Sequence, residues 1–289
     1  MKVFDCFTFF NELDLLEFRL RFLNDHIDYF VIAESNLTHS GQEKPYLFEK
    51  SKKRFESWQP KIIYIQCRQS AEGLSLEVDV KTYSPGNGSW KLENGQRNAL
   101  LQISDKISDE DIVMVSDLDE IPDPSVIKKT NFANGPKALS QLFHYYFFNC
   151  QNTGRDRWWN GTVISTGPDF KSITPQGLRD KRNEYPAIKK AGWHFSYLGG
   201  IESIKYKIRS FAHTEYNKEE YLQDDYILNA IEKGHDIFKR PDVTYQFASV
   251  YFYPKNLRET MKLYPAFLNL KKRNSLWHRI YYSIYQIFN

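Results

Sequence analysis

Ile112-Val113-Met114-Val115-Ser116-Asp117-Leu118-Asp119-Glu120 passes from an uninterrupted apolar segment directly into three acids within four residues. A short, continuously apolar run is the pattern of a strand covered on both faces. Asp111 to Ser116 reads as that strand, and Pro122 and Pro124 keep the chain from continuing as a regular one. Upstream, Lys2 to Thr8, Asp28 to Glu34 and Lys61 to Gln66 are further strand-like segments. Between the first two lies a helix from Glu12 to Asn24, with Leu13, Leu16, Leu20 and Leu23 as its apolar stripe and Asn11 placed to cap it. A helix near Ser51 to Trp58 precedes the third strand. After the loop Ser84-Pro85-Gly86-Asn87-Gly88-Ser89, a longer helix from about Trp90 to Lys106 leads into Asp111. This β-α-β rhythm predicts an α/β sheet flanked by helices. In such sheets ligands gather at the C-terminal ends of the strands, where Asp117 and Asp119 are delivered.

Beyond about residue 125 the pattern changes. Lys137 to Cys150 alternates in part and is rich in Phe and Tyr, and Thr162 to Thr166 is a short strand. Ile201 to Phe211 and Glu219 to Lys233 read as helices, the latter ended by Gly234 in the left-handed position. The expectation is one domain over residues 1–270, with a nucleotide-binding half to about 125 and a mixed α/β, acceptor-facing half after it. The tail from Ser275 to Phe288 sets Leu276, Ile280, Ile284 and Ile287 behind Lys271-Lys272-Arg273. Such a helix either docks on the protein's own core or makes a peripheral contact with a membrane surface.

The chain has 289 residues, enough for a sizeable core, and a formal net charge of +3 spread along its length. That charge pattern excludes a nucleic-acid footprint. The three cysteines, Cys6, Cys67 and Cys150, are odd in number and lack metal-ligand spacing, which predicts reduced thiols. Met1-Lys2-Val3 leads at once into folded pattern, so a cytoplasmic location is expected. Aromatic residues make up 16%, and their faces suit sugar rings as well as cores. Trp158, Trp159 and Trp193 are the stacking candidates.

Two aspartates one residue apart at a strand end project to the same side by alternation, so both can approach one hard divalent cation. A cation held by carboxylates neutralises a diphosphate leaving group without any change of protonation. Glu93 and Arg97 stand one turn apart on the preceding helix. They form either a surface ion pair or an arginine presented to a diphosphate or a base. His213 is a candidate third metal ligand, His194 a substrate contact and Lys207 a phosphate partner; each also has a plain structural reading. Glu34 and Asn11 follow strands at the level where a nucleotide base or ribose would sit.

Four segments in order resemble family 17 glycosyltransferases: Phe9-Phe10-Asn11-Glu12-Leu13-Asp14-Leu15-Leu16-Glu17, Trp90 to Asn98, Ser116-Asp117-Leu118-Asp119-Glu120-Ile121-Pro122, and Gly192-Trp193-His194-Phe195-Ser196. The resemblance spans roughly residues 3 to 235. It implies a GT-A-type nucleotide-sugar-binding sheet, a UDP-sugar donor such as UDP-GlcNAc, Mn2+ or Mg2+, a glycan acceptor and inversion at the anomeric carbon. It makes Asp117-Leu118-Asp119 the DxD motif, with Asp119 the direct metal ligand and Asp117 nearer the ribose and metal. Inversion needs a general base, and Glu202, behind Gly199-Gly200, is the residue the resemblance favours, with Asp224 and Asp225 in reserve. Two rival readings are a non-catalytic glycan-binding protein and a metal-dependent nucleotidyltransferase. No Gly-rich loop followed by lysine supports the latter.

Overall fold

Val3–Phe9 forms strand β1 in the computed structural model, which describes residues 1–76 and 86–270. Parallel to it lie β2 (Tyr29–Ser35) on one side and β4 (Ile112–Asp117) on the other, and β3 (Ile62–Cys67) extends the parallel set beyond β2. The sheet turns antiparallel past β4. There β8 (Trp158–Thr166) pairs with β4, and β6 (Lys137–Tyr145) pairs with β8. The path ends with β7 (Cys150–Asn152) and β11 (Tyr245–Phe247). Off this path, β10 (Gly192–Ser196) runs parallel to β6 and antiparallel to the short β5 (Glu120–Pro122), while β9 (Ala187–Ile188) lies beside β6. The result is a mixed α/β fold with one mixed sheet and flanking helices.

Strand alternation builds a core on each face of the parallel part. Val3, Phe7 and Phe9 join Leu16, Phe18 and Leu20 of helix α1 (Leu13–Leu23). Phe4 and Cys6 face the other way, toward Leu100, Ile103, Phe170 and Leu178. A third cluster, rich in tyrosine, packs Phe143, Tyr145 and Tyr245 against Ile204, Ile208 and Ile227. The remaining helices are α2 (Leu47–Lys50), α3 (Gly88–Asn98), α4 (Pro124–Ile127), α5 (Gly167–Ile173), α6 (Pro175–Asp180), α7 (Gly200–Ser210), α8 (Asp224–Lys233) and α9 (Lys255–Met261).

Several local expectations are corrected. Asn11 does not cap α1: Glu12 occupies the cap position and no side chain caps the helix. The segment near Ser51 to Trp58 is 3-10 helix over Lys52–Lys61, with Pro60 inside it. The helix expected from Trp90 to Lys106 begins at Gly88, with Asn87 accepting from the amide of Ser89, and tightens to 3-10 over Ala99–Lys106. As expected, the chain does not continue as a regular strand: β5 stops at Pro122 and Pro124 opens the helical turn Pro124–Ile127. The Glu219 to Lys233 helix breaks at Gln223, which is extended. The tail Ser275 to Phe288 and the loop residues Ser84 and Pro85 lie outside the described residues. Among the described residues no helix is long and apolar enough to cross a membrane. All three cysteines are buried and unbonded to one another.

Candidate active site

Strand β4 ends at Asp117, Leu118 and Asp119 form a turn, and Glu120 opens β5. A buried arginine from α1 shapes that turn. Arg19 forks onto Asp5 with Nε and Nη2, at 2.8 and 2.6 Å. Its Nη1 donates to the carbonyl oxygens of Asp117, Leu118 and Glu120 at 2.9 to 3.0 Å, and Nη2 reaches Ser116 Oγ at 2.7 Å. A fully buried guanidinium is tolerable only with its donors filled and its charge matched, and Asp5 with the turn carbonyls does both. From the other side β10 fastens the turn: Phe195 N donates to Asp119 O at 2.8 Å, and His194 is in register with Glu120.

The three acids then separate. Asp117 Oδ1 accepts from Arg97 Nη2 at 2.8 Å and from Thr8 Oγ1 at 3.3 Å, and its Oδ2 accepts from Arg179 Nη2 at 2.7 Å. Glu120, fully buried, takes Arg179 at 2.6 and 2.8 Å, Trp159 Nε1 at 2.7 Å and the amide of Asp117 at 3.0 Å. Both are locked by arginine. Burial alone would raise the carboxyl of Asp117, but Arg179 and Arg97 outweigh it and hold it well below the usual carboxylate range. Asp119 faces elsewhere, with Oδ2 2.9 Å from Lys207 Nζ and Oδ1 3.3 Å from His194 Nε2. Its carboxyl too is held low against burial, by Lys207 first and His194 next. Lys207, from α7, also lies 3.7 Å from Glu12 Oε1. The imidazole of His194 is stacked on Phe143, 4.5 Å between centroids at 5°, with Trp159 tilted over it at 5.4 Å.

The sequence profile of glycosyltransferase family 17 matches residues 1–268. The chain belongs to glycosyltransferase family 17. Similar curated proteins are the β-1,4-mannosyl-glycoprotein 4-β-N-acetylglucosaminyltransferases of Rattus norvegicus and Homo sapiens. Each is 22% identical over 263 residues, covering 80% of this chain and 46% and 47% of their own lengths. This family 17 chain thus spans about half the length of the curated relatives it matches. Among solved structures, the inositol-1-phosphate CTP transferase from T. maritima aligns at a TM-score of 0.37 with 11% identity, over 71% of this chain and 84% of that one. A likeness that loose carries no argument.

The structure of the family 17 chain brings together Asp117, Asp119, Arg97, His194 and Lys207. It does not bring Glu202 to them. That side chain is 86% exposed on α7 and pairs with Lys205, which also holds Asp224. His213 hydrogen-bonds Glu215 at 2.8 Å and sets its ring edge-on to Trp90. Trp193 is 8% exposed and packs into the core against Phe22, on the strand face opposite His194, so it offers no sugar platform. Trp159 is half-buried over Glu120, and Trp158 is exposed. Glu34 is fully buried and spent on Lys44, the amides of Leu47 and Phe48 and the hydroxyl of Tyr64; it anchors a loop. Arg97 is likewise committed to Glu93, Asp117 and Gln176. Asn11 sits half-buried after β1, its amide donating to Glu12 Oε2.

Alternation does not carry Asp117 and Asp119 to one cation, because the strand has ended and each carboxylate has its own partners. Asp117 has both oxygens engaged by guanidinium groups and is a poor ligand. Asp119 supplies an oxygen donor of the kind that suits Mn2+ or Mg2+; the imidazole of His194 beside it is a softer donor that suits Mg2+ poorly. Among the described residues no three His, Cys, Asp or Glu side chains gather as a metal-holding group. Sequence reasoning missed Arg19 and Arg179. Arg19 interrupts the apolar stripe of α1 between Leu16 and Leu20, a legible signal of a buried charge. Arg179 carries no such signal.

Proposed function

We propose that this family 17 chain transfers a sugar from a nucleotide sugar, GlcNAc from UDP-GlcNAc, to a glycan hydroxyl in β linkage with inversion, on a GT-A-type sheet. The observation that carries the reading is the isolation of Asp119. It stands at the C-terminal end of the parallel strands, free of the arginine lock and beside Lys207 and His194. The relatives' name, N-acetylglucosaminyltransferase, supports the choice of GlcNAc.

When bound, a divalent cation supplies positive charge that stabilises the departing nucleoside diphosphate. This chain's own residues do the rest. Lys207 offers a mobile ammonium on a flexible stem to the same diphosphate. The Arg19, Arg97 and Arg179 network holds the turn rigid, so Asp119 meets the donor without reorganisation. The half-buried Asn11 and Glu12, at the end of β1, border the donor side.

The test is thermal stabilisation by UDP-, GDP- and dTDP-sugars with and without Mn2+, since a ligand selective for the folded form raises Tm. UDP-GlcNAc with Mn2+ is expected to give the largest rise, with UDP released on adding an acceptor glycan. Stabilisation by glycan alone would replace this reading with a binding protein. Release of pyrophosphate from a nucleoside triphosphate would replace it with a nucleotidyltransferase.

A further inference from the structure

We propose that Arg182 and Trp159 form an anion-binding subsite on the acceptor side of Asp119, and that the acceptor glycan carries an acidic group, a carboxylate or a phosphate, close to the hydroxyl that receives the sugar. The proposal rests on the functional reading above and adds to it a class of acceptor.

Three observations carry it. The first is position. Strand β8 runs antiparallel to β4 on the side away from β1, so its first residues, Trp158 and Trp159, stand at the same sheet edge as Asp119, across from Asn11 and Glu12. Trp159 is held through Nε1, 2.7 Å from Glu120 Oε1, and its ring lies 5.4 Å from that of His194, whose Nε2 faces Asp119. The Cζ of Arg182 is 5.2 Å from the centre of the same indole. One aromatic ring therefore separates this guanidinium from the imidazole beside Asp119. The second observation is an unspent charge. Arg97 and Arg179 each bind two carboxylates, whereas the half-buried Arg182 forms no ion pair among the described residues. Its Nη1 donates to Arg179 O at 3.1 Å, and its other nitrogens have no partner among the described residues. A planar fork with free donors matches the two oxygens of a carboxylate or phosphate. Burial and the neighbouring Arg179 hold its pKa below the ordinary arginine range, against Glu120 and Asp117, and an incoming anion offsets that cost. The third is a fixed floor. Asn160 Nδ2 donates to Asn183 Oδ1 at 3.3 Å and ties the turn that carries Arg182 to β8, beside the exposed indole of Trp158. Indole faces next to a cation suit a sugar ring that bears a negative group.

Ligand-observed NMR titrations of the full chain with methyl β-D-glucuronide, methyl β-D-glucoside 6-phosphate and neutral methyl β-D-glucoside test this. At least one of the two acidic glycosides is expected to bind about tenfold more tightly than the neutral one, the scale of one charge-assisted contact, and the tighter of the two names the group. Arg182→Gln should remove that preference while its affinity for UDP, measured with Mg2+, stays at the wild-type level; Arg182→Lys should keep part of the preference, and melting curves report whether each variant folds. Equal affinity of the wild-type chain for acidic and neutral glycosides, or binding of none of them, overturns the subsite whatever the variants do. A preference that survives in folded Arg182→Gln overturns the assignment to Arg182, and a loss of UDP affinity in that variant places Arg182 on the donor and overturns it as well. The proposed function stands or falls separately: a wild-type chain that binds no UDP with any cation removes it, and one that binds UDP without preferring acidic glycosides keeps it and loses only the subsite.

Discussion

Arg179 Nη2 lies 2.7 Å from Oδ2 of Asp117 and 2.6 Å from Oε1 of Glu120, so one guanidinium joins the first and last acids of the turn. Removing it strands a fully buried carboxylate. Arg179→Met is expected to cost about 3 to 5 kcal/mol in urea unfolding, the range for breaking one side of a buried ion pair. Arg179→Lys, which keeps the charge but not the fork, should fall between the two. A cost under about 1 kcal/mol for the methionine variant would mean that the network contributes little to stability.

Gly161 has no room for a side chain. A Cβ there would stand 2.6 Å from the carboxyl carbon of Glu120 and closer still to the side-chain oxygen of Gln141. Gly161→Ala should therefore push Glu120 off Arg179 and destabilise the fold by about 1 to 3 kcal/mol, as overpacking does. Thermal melting of the purified variant checks this, and an unchanged Tm would show that the turn yields without loss.

Glu202 faces water on α7, beside Lys205 and away from Asp119. Glu202→Gln is expected to keep transfer within about twofold of wild type, because general-base catalysis, worth roughly 10²- to 10⁴-fold, requires hydrogen-bond reach of the acceptor hydroxyl. A loss of about a hundredfold in kcat with unchanged donor binding would return Glu202 to the role of base.

His144 is buried with Nδ1 donating to Leu142 O at 2.8 Å and Nε2 2.9 Å from the Tyr253 hydroxyl. Burial pushes its pKa down to about 3. The unfolded chain takes up the proton near pH 6.5, so between that pH and about 3 the unfolded state binds more protons and stability falls as pH falls. Urea unfolding from pH 7 to 4 should show wild type losing up to about 1.4 kcal/mol more per pH unit than His144→Gln. Parallel profiles would contradict the assignment.

How much could be read beforehand depends on the range of the interactions. The parallel strands and α1 were legible because their apolar patterns are local and covered on known faces. The acidic run was legible as a strand end. Its inner division was not, since Asp117 and Asp119 look alike until Arg179 and Lys207, 62 and 88 residues away from them, choose between them. Trp193 and His194 are neighbours that alternation sends to opposite faces, yet which face holds the core is set by the pairing of β10 with β5 and β6. The exposure of Glu202 was not legible, because a glutamate opening a helix after two glycines has the same local signature whether the helix presents it to a ligand or to water.

The wiring of the turn has a consequence for biosynthesis. Asp117 and Glu120 leave the ribosome 62 and 59 residues before the arginine that neutralises them, and Asp119 precedes its lysine by 88. Through translation the early β-α-β segment carries three acids short of their later partners, with Arg97 already available to Asp117 and Arg19 spent on Asp5. Domains fold largely as units while the chain emerges. A nascent chain stalled before Arg179 should accordingly stay open to protease around the turn, and the centre should close only when α6 and α7 have been made.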